Sequence, residues 1–418
     1  MNSLSMPRWL CLSERAFALS FIAFSFVMFS CLFPTGFSAT FSTLAFFFAL
    51  PTFCNRIRSV DLNWFEIAGL CLFGWLLIST VWSDVPFSVS LAYQSEYRIY
   101  FMLPVFISVL ALDERIRRWT FIAAMLGAFV ALVSSYGLGF GWWKIQGAHL
   151  SLGNRIYHGF IMSSFLMACL LIARETNGVR RLISFTIAVS IVYNVLNIEM
   201  GRTGYLQVVF VCITFVALTF TRIQAVIAVV CAVFIFGLSY VTFDRFHDRL
   251  NQTIANTEKM VSSDDYKSSA GYRLEFYRGA INIGMDEPFT GVGVGGVTKE
   301  LRSRADTGEM RVLTDNVHSE FLNMLIAGGL PGLFLFASFV IAIACSGFAV
   351  RAHSSWLGDA LIGLGVIVLV SALFNSTIKD YGEKHALIVM LSTLGACLLT
   401  HRKQFSDTGI RTLHASKS

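Results

Sequence analysis

The sequence is poor in charged residues, and its cysteines are absent from its longest polar segment. Only 14% of the 418 residues are charged, whereas a soluble domain carries about 25%. None of the nine cysteines lies between Phe243 and Val317, and none forms a C-x-x-C pair. The composition therefore excludes an ordinary soluble protein. It predicts neither a disulfide framework in the polar segment nor a cysteine-based metal site.

Apolar blocks are what the sequence has in abundance. It is 55% hydrophobic with a mean hydropathy of +0.65, and its blocks of about 17 to 21 residues can cross a hydrocarbon layer of ~30 Å. The pattern predicts an all-α polytopic membrane protein with about twelve transmembrane helices. No cleavable signal peptide is expected, because a second span follows the first at once. The predicted spans are 17–33, 37–53, 62–81, 97–112, 119–138, 160–172, 183–198, 205–220, 223–241, 333–350, 357–374 and 386–400.

The distribution of basic residues sets the predicted orientation. Arginine and lysine concentrate in alternate short connections, such as those holding Arg117 and Arg181, and the positive-inside rule assigns these to the cytoplasm. Both termini are then cytoplasmic, and one large polar loop lies outside. The predicted divisions are spans one to nine (1–242), the outer loop (243–317), an interfacial or re-entrant helix (318–332), and spans ten to twelve with a cytoplasmic tail (333–418).

Three arginines stand at the outer ends of predicted spans, where the charge rule disfavours them: Arg98, Arg155 and Arg202. An ionisable group at membrane depth is a functional candidate by default. The alternative is that each side chain reaches lipid headgroups or a local partner, such as Glu96 for Arg98. Arg202 is the strongest candidate, because the flanking glycines of Gly201-Arg202-Thr203-Gly204 would let the backbone turn sharply.

The outer loop contains a predicted amphipathic helix and a glycine-rich turn. Over 271–281, apolar residues recur at helical spacing, which predicts a helix that could lie on the membrane. The remaining surface of this predicted helix carries arginine, although Arg278 could simply face water. The G-x-G-x-x-G at Gly291, Gly293 and Gly296 is a weak dinucleotide signal without a βαβ unit. A turn with positive φ is the favoured interpretation. In the predicted helix at 271–281, the apolar residues are Leu274, Tyr277 and Ile281. The other face of that helix carries Arg273, Glu275 and Arg278.

His318 begins the last polar segment before span ten. Asp315 or Asn316 is a natural N-cap, which would place His318 in the first helical turn. The positive end of the helix dipole would then keep the imidazole neutral, as a proton acceptor must be. The alternative is an exposed histidine near a helix cap, without a role. The helix that begins near His318 ends at the glycines of 328–332 and is therefore too short to span the membrane. It is expected to dip into the outer interface.

Taken in order, these motifs resemble the O-antigen ligases, within the wider O-antigen ligase/polymerase superfamily of GT-C-like glycosyltransferases. The family signature is a histidine, usually followed by asparagine, then a leucine and two glycines. Here it reads His318-Ser319-Glu320-Phe321-Leu322, then Gly329 and Gly332, with serine replacing asparagine. Arg202 matches the family's arginine after a periplasmic turn. Arg273 and the turn at 288–293 match an arginine-containing helix followed by Pro-x-x-Gly-x-Gly.

The resemblance implies transfer of an O-antigen glycan from undecaprenyl diphosphate to lipid A–core, with inversion, at the periplasmic face of the bacterial inner membrane. His318 would be the catalytic base for the acceptor hydroxyl. Arg202 and Arg273 would bind the diphosphate, because arginine forks bind phosphate at two points and stay charged. Arg98, Arg155 and Arg278 would give supporting substrate contacts.

The same resemblance predicts no cofactor and no metal. Metal-using GT-C enzymes carry acidic residues in the first outer loop, which here is about 34–36 and has none. Fixed cations would take the metal's place. The expected partners are the lipid-linked donor, lipid A–core and membrane lipids; no nucleic acid is expected.

Other functions stay open at this level. An O-antigen polymerase or a protein O-glycosyltransferase would use the same donor, although one dominant outer loop favours a ligase. A transporter of lipid-linked glycans would also have about twelve spans, but it would more often show midspan charges and an internal repeat. The sequence leaves open whether Lys379, Lys384 and His385, on the last outer turn, take part.

Overall fold

The computed structural model describes residues 8–56, 61–143, 154–199, 201–242, 247–248, 251–252, 254–255, 258 and 269–415. Within these ranges the chain is helical and contains no strand. Much of the predicted loop between 243 and 268 lies outside the described residues. The helices are α1 (Arg8–Ser30), α2 (Thr35–Arg56), α3 (Trp64–Ser79), α4 (Phe87–Gln94), α5 (Ile99–Leu110), α6 (Glu114–Gly139), α7 (Arg155–Glu175), α8 (Gly178–Tyr193), α9 (Arg202–Thr219), α10 (Arg222–Thr242), α11 (Ser269–Asp286), α12 (Gly296–Asp306), α13 (Glu320–Arg351), α14 (Ser355–Phe374) and α15 (Tyr381–Ala415).

The prediction of an all-α polytopic membrane protein is confirmed. Each predicted apolar block falls on one helix, and nine helices of the described chain are long and apolar enough to cross a membrane. Two further apolar helices are shorter, with 16 residues in α3 and 12 in α5. The remaining block is the 21-residue α10. Twelve crossings, the GT-C-like arrangement and the division into segments stay predictions.

An ionic cluster fixes the end of the bundle where α13 finishes and α14 starts. The Asp359 carboxylate is fully buried and accepts hydrogen bonds from Arg351 Nε at 2.6 Å and from Arg174 Nη1. Arg351 also donates to the carbonyl of Leu218 in α9. A buried charge is tolerated when it is paired and hydrogen-bonded. The cluster therefore joins α7, α9, α13 and α14.

The long helix α13 is broken at Gly329, as the glycines at 328–332 predicted. Gly329 has φ of 64° and ψ of −162°, a combination that is essentially restricted to glycine. The break leaves backbone groups that the helix cannot satisfy. Trp75 Nε1 donates to the Gly328 carbonyl at 2.8 Å, and the N–H of Leu330 donates to the carbonyl of Pro288 at 2.7 Å.

The glycine-rich turn packs against the segment of α13 that contains this break. Gly291 and Gly293 have positive φ values of 60° and 76°, which confirms the interpretation as a turn. A Cβ on Gly291 would lie 2.4 Å from the Ile326 carbonyl oxygen. The next residue, Val292, donates its N–H to that same oxygen at 2.8 Å. The turn therefore needs glycine both for its conformation and for its close approach to α13.

The helix predicted in the outer loop exists as α11, but the face that packs against the protein differs from the predicted one. Phe276, Ala280 and Ile283 are buried, whereas Leu274 and Ile281 are 47% and 48% exposed. Glu275, predicted to lie on the surface, is buried. Its carboxylate accepts a hydrogen bond from the backbone N–H of residue 311 at 3.0 Å, a contact that no helical pattern can indicate.

We predict that Gly329→Ala lowers the thermal midpoint of the purified protein. The added Cβ would lie 2.6 Å from the carbonyl carbon of Phe289, and the strained backbone alone costs about 1–3 kcal/mol. Gly74→Ala is the matched control, because its Cβ would meet nothing within 4 Å and alanine favours a helix. Equal midpoints for the two variants would contradict the proposed role of the break.

Candidate functional site

His318 lies in a tight loop immediately before α13. Its φ of 53° falls in the left-handed region that residues other than glycine rarely adopt. Its N–H donates to Asn316 Oδ1 at 3.0 Å, and its carbonyl accepts from the Tyr277 hydroxyl at 3.3 Å. The prediction of an Asp315 or Asn316 cap with His318 in the first helical turn is wrong. The N-cap is Ser319, because the Asn316 side chain closes the loop on His318 instead.

The surroundings of His318 favour the neutral imidazole. Burial lowers its pKa, and the Arg273 guanidinium lowers it further, while Asp380 and Asn375 act in the opposite direction. The ring also lies beside the ring of Phe276, with 6.2 Å between centroids. The sequence predicts a neutral imidazole from the helix dipole, whereas in the structure burial and a neighbouring cation favour the neutral form; the role of His318 as a base stays a prediction.

The last outer turn, between α14 and α15, is hydrogen-bonded to the start of α13. Glu320 is fully buried, and its carboxylate accepts from the N–H of Ile378 at 3.0 Å and of Lys379 at 3.4 Å. The Glu320 N–H donates to the Asn375 carbonyl at 3.1 Å. Asn375 Nδ2 donates to Asp380 Oδ2 at 3.1 Å. The turn and the start of the helix therefore form one bonded unit.

Asp380 and Asn375 act on His318 in the candidate site, and they were not identified from the sequence. Burial raises the pKa of Asp380, while Asn375 and His318 oppose this shift. The available signal was a polar segment between two apolar blocks, which does not reveal that the segment faces a histidine in a distant part of the chain.

Arg98 lies on another side of the same turn. Its Nη2 is 3.5 Å from His385 Nε2. Lys384 Nζ donates to the Glu96 carbonyl at 3.1 Å and is close enough to interact electrostatically with Arg98 and Asp380. The structure thus brings Arg98, Lys384 and His385 to the edge of the site.

Arg155 and Arg202 begin the neighbouring helices α7 and α9, and both are half-buried. A Cβ on Gly201 would lie 3.5 Å from the Arg155 carbonyl oxygen. Gly204 does not form a turn as predicted, because it lies inside α9. There, a Cβ on Gly159 would be 2.9 Å from the Gly204 Cα, so these glycines let the two helices approach closely.

The two helix starts connect to the last outer turn through Tyr157. A Cβ on Gly382 would lie 2.7 Å from the Tyr157 ring, which places the starts of α7 and α15 side by side. Arg278 is exposed on α11, and no contact described for it reaches His318. The substrate roles of Arg155, Arg202 and Arg278 stay predictions.

Among the described helices, six begin at the end of the bundle that holds His318: α2, α5, α7, α9, α13 and α15. Each helix start carries a partial positive charge. Together with Arg98, Arg155, Arg202 and Arg273, they make this end of the bundle suited to a polyanion. Among the described residues, no cluster of three or more histidine, cysteine, aspartate or glutamate side chains could hold a metal ion.

Comparison with known families supports the resemblance seen in the sequence. A family model described as O-Antigen ligase matches residues 186–337. The match includes Arg202, Arg273, Arg278 and His318, but it ends before the last outer turn. It supports a glycosyltransferase activity of the O-antigen ligase/polymerase superfamily. A comparison with curated proteins finds no match to the chain.

We predict that Glu320→Ala destabilises the protein and displaces the last outer turn. The buried N–H of Ile378 would lose its acceptor, at a cost of about 1–3 kcal/mol, and the half-buried N–H of Lys379 would lose a longer hydrogen bond. The measurements are the thermal midpoint and hydrogen exchange at 375–380. Glu287→Ala, at an exposed glutamate, is the control. Unchanged exchange in Glu320→Ala would show that the turn is held by other contacts.

Proposed function

Since residues 186–337 match the O-antigen ligase family, we propose that this multi-pass membrane protein is an O-antigen ligase. It would transfer the glycan from undecaprenyl diphosphate to a sugar hydroxyl of lipid A–core. The observation that carries the proposal is the His318 loop, in which a strained backbone carries a half-buried imidazole whose pKa is lowered by burial and by Arg273, while Asp380 acts in the opposite direction.

The base chemistry follows from the charges around His318. The imidazole takes the proton of the acceptor hydroxyl while the oxygen attacks the anomeric carbon. The bond from that carbon to the diphosphate oxygen breaks, and the configuration inverts. His318 then carries a positive charge, which the nearby Asp380 favours. Asn375, hydrogen-bonded to Asp380, would hold this carboxylate in place.

The leaving group requires fixed positive charge. The diphosphate gains negative charge as the bond breaks, and preorganised cations stabilise such charge without reorganising. Arg273, whose charge acts on His318, would bind the diphosphate beside the base. Arg202 would complete the diphosphate site, with Arg98 and Arg155 as supports and Arg278 as a weaker candidate. The helix starts at this end add to the same field.

The location of the site suits substrates that are both anchored in a membrane. Its charged groups lie at one end of the helices, where headgroups lie, and not along the middle of the spans. We place this end at the periplasmic face of the bacterial inner membrane, with both termini cytoplasmic. The arginine-rich opposite end supports this orientation.

The test is mass spectrometry of the products that the purified protein makes from a polyprenyl-diphosphate glycan and lipid A–core. We expect glycan on lipid A–core in the presence of chelator, and loss of transfer in His318→Ala. His353→Ala is the control, because this exposed histidine lies at the other end of α13. Longer carrier-linked glycan would instead identify a polymerase, and transfer to a protein would identify a protein O-glycosyltransferase. Transfer that survives in His318→Ala would remove the base assignment, and no transfer to any acceptor would favour a transporter.

We predict a specific pH dependence for transfer under saturating donor. Neutral His318 is the active form, so the rate is lost as the pH falls through its pKa, below the ordinary value of about 6.5. Arg273→Gln removes a neighbouring positive charge, which raises the His318 pKa and moves the acid limb to higher pH. Asp380→Asn removes a negative charge and moves the limb to lower pH.

Arg278→Gln is the control for these shifts, because it removes the same charge from an exposed position of the same helix. Its acid limb should stay in place. Movement of the Arg273→Gln and Asp380→Asn limbs in the same direction would show that the limb does not report His318.

A further inference from the structure

A cavity lies at the end of the bundle opposite His318, between α6, α7, α14 and α15. It has a volume of about 450 Å³, within the range of small-ligand sites. Its wall is mainly apolar and includes Phe121, Met167, Leu364 and Leu394. It starts where α6 begins and α15 leaves the bundle, whereas α15 begins beside the candidate active site. The cavity is therefore separate from the site assigned to transfer.

The length of the cavity matches one leaflet of a bilayer. Its lining runs from Glu114 to Ala124 on α6 and from Val389 to Gln404 on α15, which is about 15 Å and about 22 Å at 1.5 Å per residue. Half of a hydrocarbon core is about 15 Å, and one leaflet with its headgroup region is about 20–22 Å. The cavity is thus about as long as one lipid molecule of the leaflet that borders it.

Charge is confined to the end of this cavity where α6 begins. Arg117, Arg118 and His401 line it, against the single acid Glu114. Arg117 Nη1 donates a hydrogen bond to the Leu110 carbonyl at 2.7 Å, while Arg118 is exposed. An arginine fork at the end of an apolar slot complements a phosphate ester attached to a hydrocarbon chain.

A buried hydroxyl points to the same kind of occupant. Thr120 is fully buried, lines the cavity, and its Oγ1 has no hydrogen-bond partner within the described part of the chain. It lies on α6 between the opening and the apolar wall. A buried hydroxyl usually has a partner, and the ester oxygens of a lipid lie between its phosphate and its chains.

We propose that this cavity binds one anionic phospholipid of the leaflet opposite the candidate active site. One acyl chain fills the cavity, and Arg118, supported by Arg117, contacts the phosphate. The occupant is a resident lipid that fills the space between α6, α7, α14 and α15. The inference does not depend on the proposed transfer reaction.

The test is native mass spectrometry of the full chain in detergent with added phosphatidylglycerol or phosphatidylcholine of identical acyl chains. We expect one phosphatidylglycerol to remain bound under activation that removes phosphatidylcholine. Arg118→Gln should weaken phosphatidylglycerol binding about fivefold, the effect of roughly one cation near an anionic lipid surface. Arg115→Gln is the matched control: this exposed arginine also lies in the first turn of α6, but it does not line the cavity.

A second variant places a large side chain inside the cavity. Ala168 is half-buried and lines the cavity, so Ala168→Phe should abolish retention of the lipid, with the thermal midpoint in lipid-free detergent as the check on folding. Equal retention of the two lipids, or equal loss in Arg115→Gln and Arg118→Gln, would overturn the proposal. A folded Ala168→Phe variant that retains the lipid would do so too. Displacement of phosphatidylglycerol by a polyprenyl phosphate at one-to-one stoichiometry would assign the cavity to the donor chain instead.

Discussion

The buried carboxylate of Glu320 accepts from two backbone N–H groups of the last outer turn, and the other features of the site depend on this contact. The carboxylate lies at the start of α13, two residues after His318, so any shift of the turn also shifts the loop that carries the histidine. Asn323 adds a second connection, donating to Ser376 Oγ at 2.8 Å. Because these groups are shielded from water, losing a partner costs more than the bond itself contributes.

The strain in the His318 loop and the break at Gly329 require the same kind of support. Each places backbone in a conformation that is unstable alone, and each is held by groups from elsewhere in the chain: Tyr277 for His318, Trp75 and Pro288 for the break. The outer segment of α13 is too short to be a stable helix by itself. Its position is set by α3, by the glycine-rich turn and by the last outer turn, so His318 is positioned by packing rather than by its own helix.

The sequence was informative where the physical cause is local. Apolar blocks locate the helices because a span needs its own apolar length, and the glycines at 291, 293 and 329 indicate turns because positive φ favours glycine. It failed where the cause is tertiary. Asn316 looks like a helix cap but closes a loop, Glu275 looks exposed but accepts a bond from residue 311, and Asp380 gives no local sign that it faces His318. Gly204 looks like part of a turn, but it lies inside a helix and allows close contact with a neighbouring helix.

The order of the chain has a consequence for biosynthesis. The two groups of residues that meet at His318 lie on either side of the hairpin of α13 and α14, and the second group immediately precedes the C-terminal helix. During synthesis the N-terminal parts fold first, so the histidine, Arg202 and Arg273 are already inserted when Asn375 and Asp380 emerge. A chain truncated after α14 would retain the segment that matches the family and yet lack the turn that is hydrogen-bonded to Glu320. The candidate site is therefore complete only when the segment at 375–380 has been made and α15 has been inserted.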